Sequence, residues 1–144
     1  MESKIIWLTG LSGSGKTTLS NYISKILKKK FKVLKIDGDT FRKENKFNSF
    51  TKNAIIQNNI SIINYINKRI NKYEYILVSV ISPLKKTRFL AHKKFGKNYY
   101  EVYTNCNLKE LIRRDTKKLY LKAKQKKINN LIGYNSSIKY EKTR

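Results

Sequence analysis

Short apolar runs alternate with longer amphipathic stretches along this chain. Runs rich in β-branched and aromatic residues predict strands, whereas apolar residues that recur every three or four positions predict helices. The predicted strands cover residues 5–8, 31–36, 75–81 and 99–106. The predicted helices cover residues 17–30, 55–70, 84–95 and 108–127. Strands that alternate with helices are typical of a parallel sheet covered on both faces, so the predicted fold class is α/β.

A glycine-rich loop joins the first predicted strand to the first predicted helix. Residues 10–17 match the phosphate-binding pattern GxxxxGK(S/T) at every fixed position. Glycines allow a tight curl whose N–H groups face a polyphosphate, Lys16 adds a mobile charge, and the Thr17 hydroxyl can ligate Mg²⁺. A chance glycine turn is the alternative, but the order of strand, loop and helix disfavours it. The residues predicted to bind ATP are Gly10, Ser12, Gly13, Ser14, Gly15, Lys16, Thr17 and Thr18.

Polar residues follow the next two predicted strands. Asp37-Gly38-Asp39 comes after the second strand and Ser82 after the third. Because ligands bind at the carboxyl ends of parallel strands, we expect these side chains to lie beside the phosphate loop. Two carboxylates there can hold Mg²⁺ through water and accept the proton of an attacking hydroxyl. An Asx turn is the alternative, but two of only nine acidic residues at one spot favour a functional role.

The composition is strongly basic. The chain has 33 Lys and Arg residues against 9 Asp and Glu residues, with a formal net charge of +24. Such a charge attracts polyanions by releasing their counterions. However, lysine outnumbers arginine 27 to 6 and the charge is spread along the chain, as codon bias in an AT-rich genome produces. We therefore expect nucleic-acid binding to be at most nonspecific and to weaken as salt rises.

Length and residue usage limit the organisation of the protein. A chain of 144 residues corresponds to one domain, so residues 1–144 are predicted to form a single domain. No apolar run is long enough to span a bilayer and no signal-type leader precedes the first strand, so we expect no membrane contact and a cytoplasmic location. Cys106 is the single cysteine, which excludes an internal disulfide; it is predicted to be a small core residue.

Several blocks of this sequence, in order along the chain, resemble the adenylyl-sulfate kinase family. The blocks are residues 6–19, 37–42, 81–83, 101–103, 114–123, 132–133 and 140–141. The resemblance implies a P-loop NTPase fold of the nucleotide-kinase type, a three-layer sandwich with a parallel sheet. It also implies a basic helical lid at about residues 108–135. The implied reaction transfers the γ-phosphoryl group of ATP, with Mg²⁺, to the ribose 3′-hydroxyl of adenylyl sulfate, and dimers are usual in the family.

The same resemblance assigns roles to individual residues. Asp39 would orient or deprotonate the attacking hydroxyl, Asp37 and Thr17 would support the metal, and Lys16 would act on ATP. Arg42 would grip the phosphate of the acceptor. Ser82 corresponds to a serine sometimes assigned a phosphoenzyme role; we expect direct transfer, with Ser82 lining the site. The other implied contacts are Arg114 and Lys117 in the lid, and Phe50, Asn59 and Ile81 on the acceptor side.

The departures from the family pattern lie where the acceptor binds. An arginine of the family is replaced by Ile55, and an aromatic residue near the acceptor base is replaced by Leu131. Either Asn58 or Asn59 can match the asparagine of the family. The acceptor could still be adenylyl sulfate, with a lysine such as Lys52 in place of the arginine, or a related nucleotide such as cytidine diphosphoramidate. A basic nucleotide- or nucleic-acid-binding protein without kinase activity is a further alternative.

Overall fold

A computed structural model describes residues 2–143, and its centre is a four-stranded parallel sheet. The strands are β1 (Lys4–Thr9), β2 (Val33–Asp37), β3 (Tyr75–Ser79) and β4 (Tyr99–Tyr103). They lie in the order β2-β3-β1-β4, and each neighbouring pair is parallel. The predicted α/β class is confirmed. Because β1 lies between β3 and β4, the loop that follows it is placed near the middle of the sheet edge.

Six α-helices lie within residues 2–143. They are α1 (Lys16–Leu27), α2 (Gly38–Glu44), α3 (Lys52–Asn67), α4 (Lys85–Phe95), α5 (Leu108–Arg114) and α6 (Leu119–Lys124), and a 3₁₀ turn (Gly96–Asn98) precedes β4. Of the helices in this part of the chain, none combines the length and the apolar character needed to cross a membrane.

The main core lies between the sheet and helices α3 and α4. Trp7 and Val78 of the strands and Ile62 and Ile66 of α3 are completely buried in it. Side chains alternate between the two faces of a strand, so the neighbouring residue Ser79 meets α1 on the other face, where its hydroxyl lies 3.5 Å from the Lys16 carbonyl. The sheet therefore has helices on both faces, which is the expected three-layer arrangement.

Helix α2 was not predicted from the sequence. The Asp37 side chain accepts hydrogen bonds from the N–H groups of Asp39 and Thr40, both at 3.1 Å, and thereby caps the first turn. A side chain at Gly38 would bring a Cβ within 2.9 Å of the Val80 side chain. The Asx turn and a functional role of the two carboxylates are alternatives in the sequence analysis. In the structure they coexist, because Asp37 forms the turn and both carboxylates still lie at the end of β2.

The prediction of one continuous helix over residues 108–127 is wrong. Asp115 and Lys118 adopt left-handed backbone conformations, with φ of 33° and 57°, and separate α5 from α6. The Asp115 carboxylate accepts hydrogen bonds from the N–H groups of Tyr120 and Leu121, both at 3.0 Å. Aspartate competes with helical hydrogen bonding in this way, so the Asp115 side chain ends the continuous helix and binds the first turn of a new one, α6, which begins at Leu119.

Smaller differences concern the ends of elements. The third and fourth strands end at Ser79 and Tyr103, earlier than predicted, and Cys106 is half-buried in the loop after β4. Helix α3 starts earlier than predicted, because the Thr51 hydroxyl caps it by accepting from the Ala54 N–H at 3.2 Å.

Candidate active site

A cavity of about 410 Å³ opens where β1, β2 and β3 end. The phosphate loop, the start of α2, the end of β3 and the lid residues 114–117 form its walls. The predicted nucleotide-binding residues that line it are Ser12, Gly13, Gly15, Lys16, Thr17, Thr18, Arg114 and Lys117. The predicted catalytic and acceptor residues that line it are Asp37, Asp39, Arg42 and Ile81. One cavity thus gathers most of the predicted site from four separate segments.

The other predicted residues lie around this cavity rather than in its lining. Gly10 and Ser14 belong to the phosphate loop but are not among the residues that line the cavity. Phe50 lines a second, more open groove of about 960 Å³ between residues 48–52 and residues 129–141. Asn59 and Ser82 are both 1% exposed and contact each other.

The phosphate loop is held from outside by Thr104, which follows β4. The Thr104 hydroxyl contacts the Ser14 hydroxyl at 2.6 Å, and the Thr104 N–H donates to the Thr9 carbonyl at 2.8 Å. A Cβ at Gly10, which has φ of 151°, would lie 2.4 Å from the Thr104 hydroxyl oxygen. Only glycine therefore fits at this position. Sequence analysis missed Thr104, because a single threonine after a strand carries no motif.

Lys16 is a nearly buried cation inside the loop. Its Nζ atom donates to the carbonyl oxygens of Gly10 and Leu11, at 2.9 and 2.8 Å. Burial, together with the positive charge of Lys117, lowers the pKa of Lys16 to about 8. An anion in the cavity would relieve the cost of keeping this ammonium charged, so the site favours a ligand such as a phosphate.

Thr17 and Asp37 form a pair of oxygen donors beside Lys16. The Thr17 hydroxyl donates to Oδ2 of Asp37 at 3.2 Å, while Oδ1 of Asp37 caps α2. Mg²⁺ prefers oxygen ligands, and it is often held by one or two protein oxygens together with the phosphates of a nucleotide. A hydroxyl and a carboxylate next to a phosphate-binding loop fit this requirement.

Asp39 also lines the cavity and contacts the lid. Its Oδ2 atom accepts a hydrogen bond from Nζ of Lys117 at 2.5 Å. Burial acts to raise the pKa of Asp39, but the hydrogen bond and charge of Lys117, with the charges of Arg42 and Lys16, outweigh it and leave the pKa below its ordinary value. Asp39 is therefore an ionised carboxylate at neutral pH.

Arg42 connects the cavity to the second groove. Its guanidinium lies 4.5 Å from the centre of the Phe50 ring, a distance typical of cation–π contacts. Burial lowers the pKa of Arg42, and the nearby Asp39 carboxylate partly offsets this effect. Arginine remains charged under such a shift, so Arg42 can hold an anionic group between the two spaces.

The two asparagines on α3 have different surroundings. The Asn59 amide is occupied, because its Oδ1 accepts from the Ser82 hydroxyl at 2.6 Å and its Nδ2 donates to the Ile55 carbonyl at 2.8 Å. Asn58 is 2% exposed, and its side-chain amide has no hydrogen-bond partner among residues 2–143. A buried amide without a partner is costly, so Asn58 has unused capacity for a ligand or water.

The two departures from the family pattern are packed in apolar clusters. Ile55 is 4% exposed and contacts a cluster with Leu84 and Ile132. Leu131 is 7% exposed and packs with Leu111 and other lid residues. Both replacements are therefore integral to the local core rather than loose surface changes.

In the lid, Arg113 and Arg114 share one carboxylate. Both donate to Glu110, at 2.6 and 2.9 Å. The Arg113 side chain is 71% exposed and faces solvent, whereas Arg114 also lines the cavity.

One cavity thus combines a buried lysine, a pair of oxygen ligands, a carboxylate and basic residues of the lid, and this combination defines a phosphotransferase of the P-loop class. Comparison with known proteins identifies the family. The family model for adenylylsulphate kinase matches residues 2–144, and this chain belongs to that family. Members act on a hydroxyl acceptor, so the protein is a phosphotransferase with an alcohol group as acceptor.

Two curated relatives are similar to this chain over most of its length. A probable adenylyl-sulfate kinase of Pyrococcus abyssi is 43% identical over 137 residues, which cover 93% of this chain and 78% of the relative. The cytidine diphosphoramidate kinase of Campylobacter jejuni is 36% identical over 130 residues, which cover 90% of this chain and 76% of the relative.

A solved structure agrees with the assigned family. The Mycobacterium tuberculosis APS kinase CysC, in complex with AMPPNP and APS, is 30% identical and superimposes with a TM-score of 0.89. The match covers 99% of this chain and 84% of that chain.

Proposed function

We propose that this protein transfers the γ-phosphoryl group of ATP to the ribose 3′-hydroxyl of a modified nucleotide, with adenylyl sulfate as the first candidate. The observation that carries the proposal is the position of Lys16, Asp39 and Arg42 around one cavity. Lys16 supplies a positive charge for the phosphates of ATP, Asp39 a base for the hydroxyl, and Arg42 a positive charge for the acceptor phosphate. All three side chains line the same cavity. Membership of the adenylylsulphate kinase family supports the proposal.

On the donor side, the triphosphate lies along the phosphate loop. Backbone N–H groups and the N-terminus of α1 bind its oxygens, and Lys16 neutralises charge at the β- and γ-phosphates. Thr17 and Asp37 would hold Mg²⁺, which supplies further charge neutralisation when it is bound. Arg114 approaches the same cavity from the lid.

On the acceptor side, Asp39 accepts the proton of the 3′-hydroxyl as that oxygen forms its bond to the γ-phosphorus. The bond between the γ-phosphorus and the bridging oxygen breaks, and ADP leaves. Lys117 is bonded to Oδ2 of Asp39, so the other oxygen, Oδ1, would accept the proton in this step. Ser82 donates its hydroxyl to Asn59 and is 1% exposed, which supports direct transfer rather than a phosphoserine intermediate.

Acceptor contacts are proposed for Arg42, Phe50 and Ile81. Arg42 would bind the acceptor phosphate, and Phe50 would stack on the base in the second groove. Asn59 was the predicted asparagine contact, but its amide is already occupied. The unpartnered amide of Asn58 supports Asn58 instead, as the other possible match to the family asparagine.

Cytidine diphosphoramidate is the second candidate acceptor. Aliphatic packing of Ile55 and Leu131 leaves the acceptor side without the arginine and the second aromatic ring of the family pattern. A smaller pyrimidine base needs less aromatic surface, and one relative is a cytidine diphosphoramidate kinase. Adenylyl sulfate stays the first candidate because Lys52 lines the groove beside Phe50 and can supply a replacement charge.

The test is release of ADP from ATP and Mg²⁺ by the purified protein, with each acceptor offered in parallel. Asp39→Asn should lower turnover by at least about a hundredfold, as loss of a general base does. Glu44→Gln, which removes the same charge from an exposed position of α2, is the matched control. Turnover with neither acceptor, or full activity of Asp39→Asn, would contradict the proposal.

A separate experiment, gel filtration of the pure protein, tests the expected homodimer.

A further inference from the structure

The lid is bonded directly to the phosphate loop. The hydroxyl of Tyr120, in α6, donates a hydrogen bond to the carbonyl oxygen of Ser12 at 2.8 Å, although the residues are 108 positions apart. Tyr120 is 3% exposed and Ser12 is 6% exposed, so this bond is shielded from water. None of the roles assigned above uses it.

We propose that Tyr120 is a positioning residue for ATP, because it fixes the orientation of the peptide unit between Ser12 and Gly13. The peptide is trans, and in a trans peptide the C=O and the following N–H point in opposite directions. A Ser12 carbonyl held toward α6 therefore turns the Gly13 N–H away from α6, into the cavity that Gly13 lines. This inference rests on the proposed function, since it assumes that ATP phosphates bind there.

The loop needs such an external constraint at this point. Gly13 has φ of 81° and no side chain, so its backbone can change conformation at little cost. A peptide unit that can turn over would present either its N–H or its C=O to the phosphate. A bond from a rigid donor removes the unproductive orientation before ATP arrives, which lowers the entropic cost of binding.

Tyr120 is itself a rigid donor. The Asp115 carboxylate accepts from the Tyr120 N–H, and the Tyr120 ring packs edge-to-face against Tyr134 with 6.0 Å between centroids. Leu111 and Leu131 pack in the same buried cluster. Burial, with the nearby Asp115 charge, raises the pKa of Tyr120 to about 12, so the hydroxyl keeps its proton throughout the physiological range.

The test compares Tyr120→Phe with Tyr134→Phe. The first variant keeps the ring and removes only the donor, whereas the second removes a hydroxyl from the neighbouring ring. We expect the Kd for ATP, measured by calorimetry, to rise about tenfold in Tyr120→Phe, as for loss of one buried hydrogen bond, and to stay unchanged in Tyr134→Phe. The amide resonance of Gly13 should shift in Tyr120→Phe alone, and KM for ATP should change more than kcat.

The possible outcomes separate this inference from the proposed function. If the wild-type protein does not bind ATP, the proposed function fails. If the wild-type protein and Tyr134→Phe bind ATP and Tyr120→Phe binds it equally well with an unshifted Gly13 resonance, only the positioning role is rejected. An unfolded Tyr120→Phe protein also counts against the inference, because the hydroxyl would then serve the fold.

Discussion

Nζ of Lys117 lies 2.5 Å from Oδ2 of Asp39, so a lid residue is bonded to the carboxylate that we propose as the base. Both side chains are about half exposed, at 47% and 60%, so water screens the pair and it adds little to the stability of the fold. Its consequence is chemical. The hydrogen bond and charge of Lys117 lower the pKa of Asp39 and keep the carboxylate ionised.

Lys117→Met should shift the acid limb of the pH profile of kcat/KM to higher pH. Without the lysine, Asp39 loses the hydrogen bond and the charge that lower its pKa most, so its pKa rises, although Arg42 and Lys16 still act to lower it. Activity requires the carboxylate form and is lost as pH falls through that pKa, so the loss begins at a higher pH in the variant. Loss of a cation near the phosphates should also lower kcat/KM by roughly tenfold to a hundredfold.

Lys122→Met is the control for this profile, because it removes one exposed lysine from α6. Its acid limb should coincide with that of the wild-type protein. An acid limb that stays in place in Lys117→Met would show that Asp39 does not titrate in the activity profile.

ATP binding should be coupled to protonation of Lys16. With a pKa of about 8 in the free protein, half of the molecules carry the ammonium near pH 8, and phosphate contacts favour the charged form. Binding at that pH should take up about half a proton, and affinity should fall roughly tenfold per pH unit above it. Calorimetric titrations in two buffers with different ionisation enthalpies measure this uptake.

The control for this linkage is Lys16→Arg. Because a guanidinium does not titrate in this range, proton uptake should disappear whatever the affinity of the variant. Equal binding enthalpies in both buffers for the wild-type protein at about pH 9 would contradict the assigned pKa.

Ile55→Arg tests whether the family arginine can simply be restored. Because Ile55 is 4% exposed beside Leu84 and Ile132, a guanidinium there would be buried without a partner, and we expect the free energy of unfolding to fall by about 3 kcal/mol. Urea denaturation measures this change, with Gln57→Arg, an exposed position of α3, as control. A stable Ile55→Arg protein with improved turnover of adenylyl sulfate would instead mean that the acceptor pocket is still intact.

Sequence motifs and hydrophobic periodicity predicted those parts of the fold and of the cavity that depend on short, continuous segments. The phosphate-loop motif marks where the loop lies, and parallel strands bring their carboxyl ends to one edge, so Lys16 and Asp37 meet as expected. Helix α2 escaped prediction because a seven-residue helix that starts at Gly38 has too few apolar positions for a period. The break at Asp115 depends on side-chain capping, which helical propensity does not describe.

Long-range partners could not be predicted from one sequence. Thr104 supports the phosphate loop and Tyr120 bonds to Ser12 only because tertiary packing brings distant segments together. Their residue types have no spacing that marks such roles. Arg88 is the clearest example of a partner that could not be predicted, because a lone arginine in a basic helix is normally a surface residue.

Arg88 is instead 2% exposed and links three parts of the fold. It donates to the Glu101 carboxylate at 3.1 Å, to the Ser82 carbonyl at 2.5 Å and to the Thr143 hydroxyl at 3.0 Å, and also to the Glu141 carbonyl. The residues after Tyr140 are thereby attached to the end of β3, next to the cavity wall.

Arg88→Met should therefore lower the free energy of unfolding by about 3 kcal/mol, because it removes the guanidinium that pairs with the Glu101 carboxylate and donates to two carbonyls. Glu101 would keep only the hydroxyl donors of Tyr99 and Thr143. Hydrogen exchange should also become faster at the Glu141 N–H, which donates to the Pro83 carbonyl at 2.8 Å. Glu101→Gln should lower the free energy of unfolding less in the Arg88→Met background than in the wild-type protein, since the two side chains interact directly.

The control is Arg113→Met, which removes an exposed ion pair and should leave the urea midpoint unchanged. Equal midpoints for Arg88→Met and Arg113→Met would show that the buried network does not stabilise the fold.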